Sequence, residues 1–393
     1  MDSPKNINGR GEDLQSVCNK ETVRETGEAR GARSASAKKY GTARTLTAFP
    51  LLLGGLSLLL VISVTIAVML GSVRIEPVTV WKIALSHMPG IGSLIERDWT
   101  KAQEHIIWNI RFPRVLLGLV VGAGLSAVGV TIQALIRNSL GDPYILGVSS
   151  GSSVAATLVL LFGGFSFLGA YALPVSAFIG SLVAMALVFT FAKVGGRIST
   201  TRLLLAGTAV ASMMSAFTSF IVTMAPNAQG IRSVVYWLMG SLAGAKWEYL
   251  TAPALIVVSG IVFLLFQHRS LNALLVGEGA AGTMGVNVPA FRTCLVIVTA
   301  LITGTIVSVS GSIGFVGLMI PHIVRLVLGS DHRKVLPVSV LFGAVYVIWA
   351  DVLARLALAP EELPIGIVTA ICGGPFFIWL LRRSSYAFGG ASK

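Results

Sequence analysis

The residue types that carry out most protein chemistry are scattered in this sequence. The five histidines lie far apart, and they form neither an H-E-x-x-H pair nor a cluster with metal-ligand spacing. The three cysteines, Cys18, Cys294 and Cys372, form no C-x-x-C motif. No Gly-Lys pair occurs, so the phosphate-binding loop G-x-x-x-x-G-K-[ST] is absent. We therefore predict no catalytic residue, no metal site and no cofactor in this chain, and we expect that it is not an enzyme.

Charge is too scarce for a water-soluble protein of this length. Of the 393 residues, 54% are hydrophobic and only 12% are charged, against about 25% in ordinary soluble domains. So few charges suit a protein whose outer surface faces hydrocarbon. The net charge of +13 is explained by basic inner loops, so we expect membrane lipid and not nucleic acid as a partner.

The charge-free stretches predict about ten transmembrane helices, because about 20 apolar residues cross about 30 Å of hydrocarbon. The stretches are residues 45–73, 115–136, 143–192, 203–231, 249–267, 293–324, 335–350 and 363–381. Two of them are too long for one helix: the third breaks at Gly163-Gly164 and Pro174, and the sixth breaks near Gly311. We predict an all-α polytopic membrane protein with its transmembrane domain at residues 46–385.

The two ends of the chain differ from this domain. Residues 1–45 are rich in charge, Gly and Ser, so we predict a disordered cytoplasmic tail. Residues 386–393 form a short C-terminal tail. With both termini inside, 21 of the 30 Lys and Arg residues lie on the inner side, as the positive-inside rule requires. We expect a multi-pass protein of the bacterial cytoplasmic (inner) membrane with both termini in the cytoplasm.

Several sequence blocks in a fixed order identify a family. Residues 111–153 begin with Arg111-Phe-Pro-Arg114, continue as a glycine-rich helix and end in a turn from Asn138 to Ser150. Further blocks are LLLAG at 203–207, YWLMGSL at 236–242, GSIGFVGLMIPHIVR at 311–325, ADVLAR at 350–355 and ELPIGIVTAICGGPFFIWLL at 362–381. These blocks resemble the FecCD family, the membrane permeases of type II ATP-binding-cassette (ABC) importers for iron-siderophores, haem and cobalamin.

The resemblance implies a permease for a metal chelate. We rank a ferric siderophore first, with haem or cobalamin as the alternatives. The implied partners are a second permease copy or a close paralogue, an extracytoplasmic binding protein, and two ATPase subunits that bind ATP-Mg. This chain would then be a conduit that never changes its cargo chemically.

The loop at 271–288 is neither apolar enough to cross the membrane nor polar enough to be a simple linker, and it predicts two short helices. The resemblance implies that this loop docks in a groove of the ATPase. The residues expected to couple the two subunits are Gly277, Glu278, Gly279, Ala280, Ala281 and Gly285. The alternative is an amphipathic loop that lies on lipid headgroups.

Three arginines, Arg111, Arg114 and Arg355, fall at outer ends of spans, where the positive-inside rule disfavours them. The resemblance implies that they pair with glutamates of the binding protein. The alternatives are local: Asp351 lies four residues before Arg355 and could pair with it, and the other two could snorkel.

Four residues are candidates for the cytoplasmic gate. The resemblance places Asn138 and Leu140 at the inner constriction, and Thr200 and Thr201 lie at the inner end of the fifth span.

Two other classes of protein stay open at this point. An ion-coupled secondary transporter would usually need ionisable residues near the midplane of its spans, and these spans hold almost none. A structural subunit without transport predicts no coupling loop.

Overall fold

The computed structural model describes residues 49–71, 73, 75–88, 90, 92–194 and 197–383. The predicted tails at 1–45 and 386–393 lie outside these residues. The chain divides into two units, Met1–Gly55 and Leu56–Lys393. The described residues of the first unit begin a helix, and the second unit contains all the sites discussed below.

Helices make up most of the described chain. They are α1 Phe49–Met69, α2 Pro77–Ser86, α3 Lys101–Ile136, α4 Val148–Phe162, α5 Ala172–Ala192, α6 Thr200–Thr223, α7 Ala228–Leu238, α8 Trp247–Phe266, α9 His268–Val276, α10 Glu278–Thr283, α11 Val288–Ser310, α12 Val316–Leu328, α13 His332–Leu356 and α14 Ile365–Arg383. Short 3₁₀ turns lie at Gly92–Leu94, Pro143–Leu146 and Ser166–Tyr171, and two-residue strands β1 Lys193–Val194 and β2 Arg197–Ile198 pair antiparallel.

The predicted all-α membrane fold is confirmed. Seven helices in the described part of the chain are long and apolar enough to cross a membrane: α1, α3, α5, α6, α8, α11 and α13. Three shorter apolar helices, α4, α12 and α14, complete the ten predicted spans. The predicted glycine break at 163–164 separates α4 from α5, and the break near 311 separates α11 from α12.

Helix α3 forms the centre of the bundle and packs against α8, α11, α12 and α13. The apolar stretch that would cross the membrane is 89% buried in this helix, a larger share than in any other of the seven long spans. Gly122 lies against the backbone of Gly343 in α13, where a Cβ atom would collide with the carbonyl oxygen. Gly151 of α4 faces Gly180 of α5 in the same way. Missing side chains therefore let these helices approach closely, as in small-xxx-small packing.

Two element boundaries differ from the prediction, and one helix was not predicted. Helix α3 begins at Lys101 instead of residue 115 and includes a π-helical turn at His105–Arg111. The predicted span 203–231 ends at Thr223, because Pro226 interrupts the chain and Asn227 caps a separate helix, α7, by accepting from the Gly230 N–H at 2.7 Å. The amphipathic helix α2 was not predicted.

Candidate translocation and coupling sites

The three outer arginines are buried and have partners within the chain. The Arg114 Nε donates to Asp351 Oδ1 at 3.0 Å, and its Nη1 donates to Glu362 Oε2 at 2.8 Å. The Arg355 Nε lies 3.0 Å from Asp351 Oδ2. The Asp351 carboxylate is thus shared by two guanidinium groups, and the local pairing of Asp351 with Arg355, given above as an alternative to docking, is present. Such a pair is stable in a dry site only while both charges keep their partners.

Two of these arginines also cap the end of α1. Arg111 donates from Nη1 to the Val68 carbonyl at 2.8 Å and from Nη2 to the Val73 carbonyl at 2.6 Å. Arg355 donates to the Ala67 carbonyl at 3.2 Å. The last carbonyls of a helix have no partners within it, and positive charge is favourable there. We call Arg111, Arg114, Asp351, Arg355 and Glu362 the outer charge cluster. Docking to a binding protein stays a prediction for its arginines.

The loop at 271–288 forms the two short helices that the sequence predicts, α9 and α10. They meet at Gly277, whose φ of 136° favours glycine. Glu278 holds the second helix in place, because its Oε1 accepts from Arg292 Nη2 at 2.6 Å and lies 3.8 Å from Arg137 Nη2. Gly279 faces open space, since a Cβ atom added there would meet nothing else in the described chain within 4 Å.

The surface of this loop is apolar around Glu278. Val276 and Met284 are 70% and 66% exposed, and Leu275 is 38% exposed. Ala281 is buried and Ala280 is half-buried, so these two alanines pack inward. An exposed apolar patch with a charged rim is typical of a protein interface. Sequence reasoning missed Val276 and Met284, although their apolar character in a loop that is predicted to be cytoplasmic was a usable signal.

Asn272 connects the first loop helix to a transmembrane helix. Its Nδ2 donates to Asp331 Oδ1 at 2.8 Å, and its Oδ1 accepts from the His332 backbone N–H at 2.9 Å. Burial alone would raise the pKa of the Asp331 carboxyl, but the hydrogen bonds from Asn272 and from the Arg333 N–H lower it below its usual value. A charged Asp331 therefore caps the start of α13. No sequence pattern indicated this contact, because the partners lie 59 residues apart.

The gate candidates fall into two separate places. Asn138 follows the end of α3 and accepts from the Leu140 N–H through Oδ1 at 2.9 Å. Thr200 and Thr201 begin α6. The contacts of the described residues connect Asn138 to Leu140 but connect neither to the two threonines, so the gate stays a prediction.

Comparison with known proteins decides the family. Residues 59–383 match the FecCD transport family. The chain belongs to that family. It is therefore a multi-pass transport protein of a membrane, and the resemblance seen in the sequence is confirmed.

Two permeases and one solved transporter are similar to this FecCD chain. The cobalamin import system permease BtuC of Halobacterium salinarum is 43% identical over 70% of this chain and 73% of the relative. The hemin transport system permease HmuU of Yersinia pestis is 38% identical over 85% of this chain and 96% of the relative. A solved transporter assigned to the metal-chelate ABC type, in an inward-facing conformation, has a TM-score of 0.73 at 34% identity and covers 86% of this chain and 100% of its own.

Helix α6 of this FecCD chain carries a row of exposed hydroxyl groups. Only 17% of the stretch of α6 that would cross the membrane is buried, and the mean hydropathy of this stretch is the lowest among the seven long spans. The exposed hydroxyl residues are Thr201, Thr208, Ser212, Ser215, Ser219 and Thr223. Successive members are three or four residues apart, except for one gap of seven residues. They therefore lie on one face of the helix. We call this face the α6 hydroxyl stripe. The hydroxyls of Thr208, Ser219 and Thr223 donate to carbonyls of their own helix, so the face is mildly polar. Small hydroxyl side chains of this kind suit contact with a second protein or a water-filled path.

Proposed function

We propose that this FecCD chain is the membrane permease of an ATP-driven importer for a metal chelate, with a ferric siderophore as the first candidate. Cobalamin and haem are the alternatives, because the two named relatives handle those cargoes. The proposed assembly contains two permease copies or a close paralogue, two ATPase subunits that bind ATP-Mg, and an extracytoplasmic binding protein. Both termini lie in the cytoplasm.

The α6 hydroxyl stripe is the observation that carries this proposal. Because the stripe is exposed in a single copy, a second copy facing it would enclose a path with hydroxyl-lined walls. Such a path would let a bulky polar chelate cross without contacting lipid. Apart from Arg111 and Arg114, which lie in the first half of the long helix α3, the charged residues of the described spans lie near helix ends, and no acidic residue lies on the stripe.

Coupling would run through the loop helices. Closure of the ATPase pair would push on α9 and α10 at the patch of Val276, Met284 and Glu278. Asn272 would pass this movement to the start of α13 through its bonds to Asp331 and His332. The gate near Asn138 would then open and close as the bundle tilts, as expected for rigid-body switching around a fixed path.

The binding protein would dock at the end of the bundle that holds the outer charge cluster. Glu362 is 38% exposed, whereas the side chains of Arg114 and Arg355 are each 8% exposed. A glutamate of the binding protein would therefore compete with Glu362 for Arg114, instead of meeting a free arginine. This competition would connect docking to the packing of α3 against α13.

The energy source separates this proposal from a secondary transporter. The permease, its ATPase and its binding protein are reconstituted in proteoliposomes, and uptake of a radioactive ferric siderophore, haemin or cyanocobalamin is measured. We expect uptake of one of these with ATP and none with a proton or sodium gradient alone. Gradient-driven uptake without ATP would contradict the proposal.

A further inference from the structure

A cavity of about 550 Å³ lies at the end of the bundle where α3 carries Arg114. Its walls are α7, the loop that leads into α8, the start of α5 and the last turn of α11. The volume is within the range of about 300–1,000 Å³ that is typical of small-molecule sites. We call it the outer cavity. It is separate from the outer charge cluster, none of whose residues lines it.

The charge of the outer cavity is entirely positive. Arg232 of α7 and Lys246 before α8 line it, and none of the described residues that line it is an aspartate or glutamate. Glu248 lies close in sequence, but it lines an adjoining groove. Among the described residues, neither Arg232 nor Lys246 takes part in an ion pair, whereas Arg114, Arg292 and Arg355 all do. A concave site lined by one sign of charge concentrates ions of the opposite sign.

The remaining walls offer aromatic faces and hydroxyl groups. Tyr236, Trp237 and Tyr249 line the outer cavity and are each half-buried. The Lys246 ammonium lies 5.9 Å from the centre of the Tyr249 ring, so a cation and an aromatic face are presented together. Aromatic walls with a few charged groups suit a large, flat or aromatic ligand that carries anionic substituents.

We propose that the outer cavity receives an anionic metal chelate, with Arg232 and Lys246 pairing with its carboxylate or catecholate oxygens. The aromatic side chains contact the apolar faces of the chelate. This inference rests on the proposed importer function and narrows its cargo to chelates with at least two negatively charged groups. A guanidinium is well suited to this role, because it binds a carboxylate through two parallel hydrogen bonds.

The test compares chelates that differ in charge. The permease–ATPase complex is placed in lipid nanodiscs without ATP and titrated with four compounds: a ferric tricatecholate, haemin, haemin dimethyl ester and cyanocobalamin. Haemin and its diester share one macrocycle, but only haemin carries free propionates. The variants are Arg232→Gln, Lys246→Gln and both together. Arg97→Gln and Lys101→Gln are the controls, since these exposed cations do not line the cavity.

We expect the tricatecholate or haemin to bind at least tenfold more tightly than the diester, which has no free carboxylate, and than cyanocobalamin, whose single phosphodiester charge is balanced by its cobalt centre. The double variant should lose at least tenfold of that affinity, each single variant less, and the controls under twofold. Raising the salt concentration should weaken wild-type binding, because salt screens the attraction between the two cations and an anionic ligand. All variants should keep the wild-type melting temperature, since substitutions of exposed side chains rarely change stability much.

Several results would overturn the inference. They are equally tight binding of the diester or of cyanocobalamin, unchanged anion binding in the double variant, or no binding of either anion. A loss of binding-protein affinity without a loss of chelate affinity would assign the two cations to docking instead. Uptake in proteoliposomes distinguishes the role of the cavity from the importer function. If the double variant imports at the wild-type rate, the cavity assignment is wrong, whereas absent uptake of every chelate by the wild type contradicts the importer itself.

Discussion

Burial changes what a charged residue in a sequence motif can do. The arginines of the outer charge cluster neutralise Asp351 and cap the end of α1. The Asp351–Arg355 pair was predictable from sequence, because four residues separate the two on one helix. The contact of Arg111 with α1 was not, since the acceptor carbonyl lies 43 residues away.

Replacing Arg114 with alanine should destabilise the permease by about 3 kcal/mol or more, because it leaves buried Asp351 with one partner and removes the partner of Glu362. The melting temperature of the purified protein should fall and its membrane yield should drop. Lys101→Ala, at an exposed position of the same helix, should change neither. An unchanged melting temperature combined with weaker binding-protein affinity would mean that Arg114 acts in docking alone.

Replacing Glu278 with lysine should abolish ATP-driven uptake. The new cation would face Arg292 and Arg137, so repulsion would displace α10 from its position. Gly279→Val is the companion variant: its Cβ enters open space in the described part of this chain, so a loss of uptake at normal membrane yield points to the ATPase interface. Both variants should insert in the membrane at normal yield. Wild-type uptake by both would remove this loop from the coupling path.

Among the helices, the long spans were predictable and the short elements around them mostly were not. A span is recognised from about 20 apolar residues in a row. By contrast, α7 is amphipathic and follows α6 without a long polar linker, so its separate existence depends on Pro226 and the Asn227 cap. The early start of α3 was missed because the prediction looked for charge-free stretches, whereas this part of α3 contains Arg111 and Arg114. Both arginines have partners elsewhere in the folded chain.

The link between α9 and α13 depends on one side chain, Asn272. Replacing it with alanine should leave Asp331 and the His332 N–H without this partner and loosen the connection. We expect the ratio of chelate imported to ATP hydrolysed to fall at least threefold, while ATP hydrolysis continues. Asn109→Ala, at an exposed position of α3 that lines neither the loop helices nor the outer cavity, is the control. An unchanged ratio for Asn272→Ala would contradict a role in coupling.

The contact between α3 and α13 depends on glycine. Gly122→Leu should prevent the bundle from forming, because its side chain would collide with the Gly343 backbone, and overpacking costs at least about 1–3 kcal/mol. The expected result is little or no protein in the detergent-solubilised monodisperse fraction. Gly374→Leu in α14 is the matched control, since that position faces open space. Equal recovery of both variants would show that α3 and α13 do not pack this closely.

For the molecule as a unit, the family and the count of spans could be predicted, but the outer cavity could not. The blocks of sequence identify a FecCD permease, and the match over residues 59–383 agrees. The outer cavity instead depends on residues from α5, α7, α8 and α11 that meet only after folding. We therefore expect cargo selection in this chain to depend on tertiary structure that sequence blocks alone cannot reveal.

The proposed conduit along α6 requires that water reaches the α6 hydroxyl stripe. In a cysteine-free background, Ser215→Cys is treated in proteoliposomes with a membrane-impermeant thiol reagent, with and without ATP. Val258→Cys, at an exposed apolar position of α8, is the comparison position, which we expect to face lipid. We expect Ser215→Cys to react, its rate to change at least threefold on adding ATP, and the transported chelate to protect it, while Val258→Cys stays unreactive. Equal lack of reaction at both positions, with or without ATP, would show that α6 faces lipid and that no conduit runs along it.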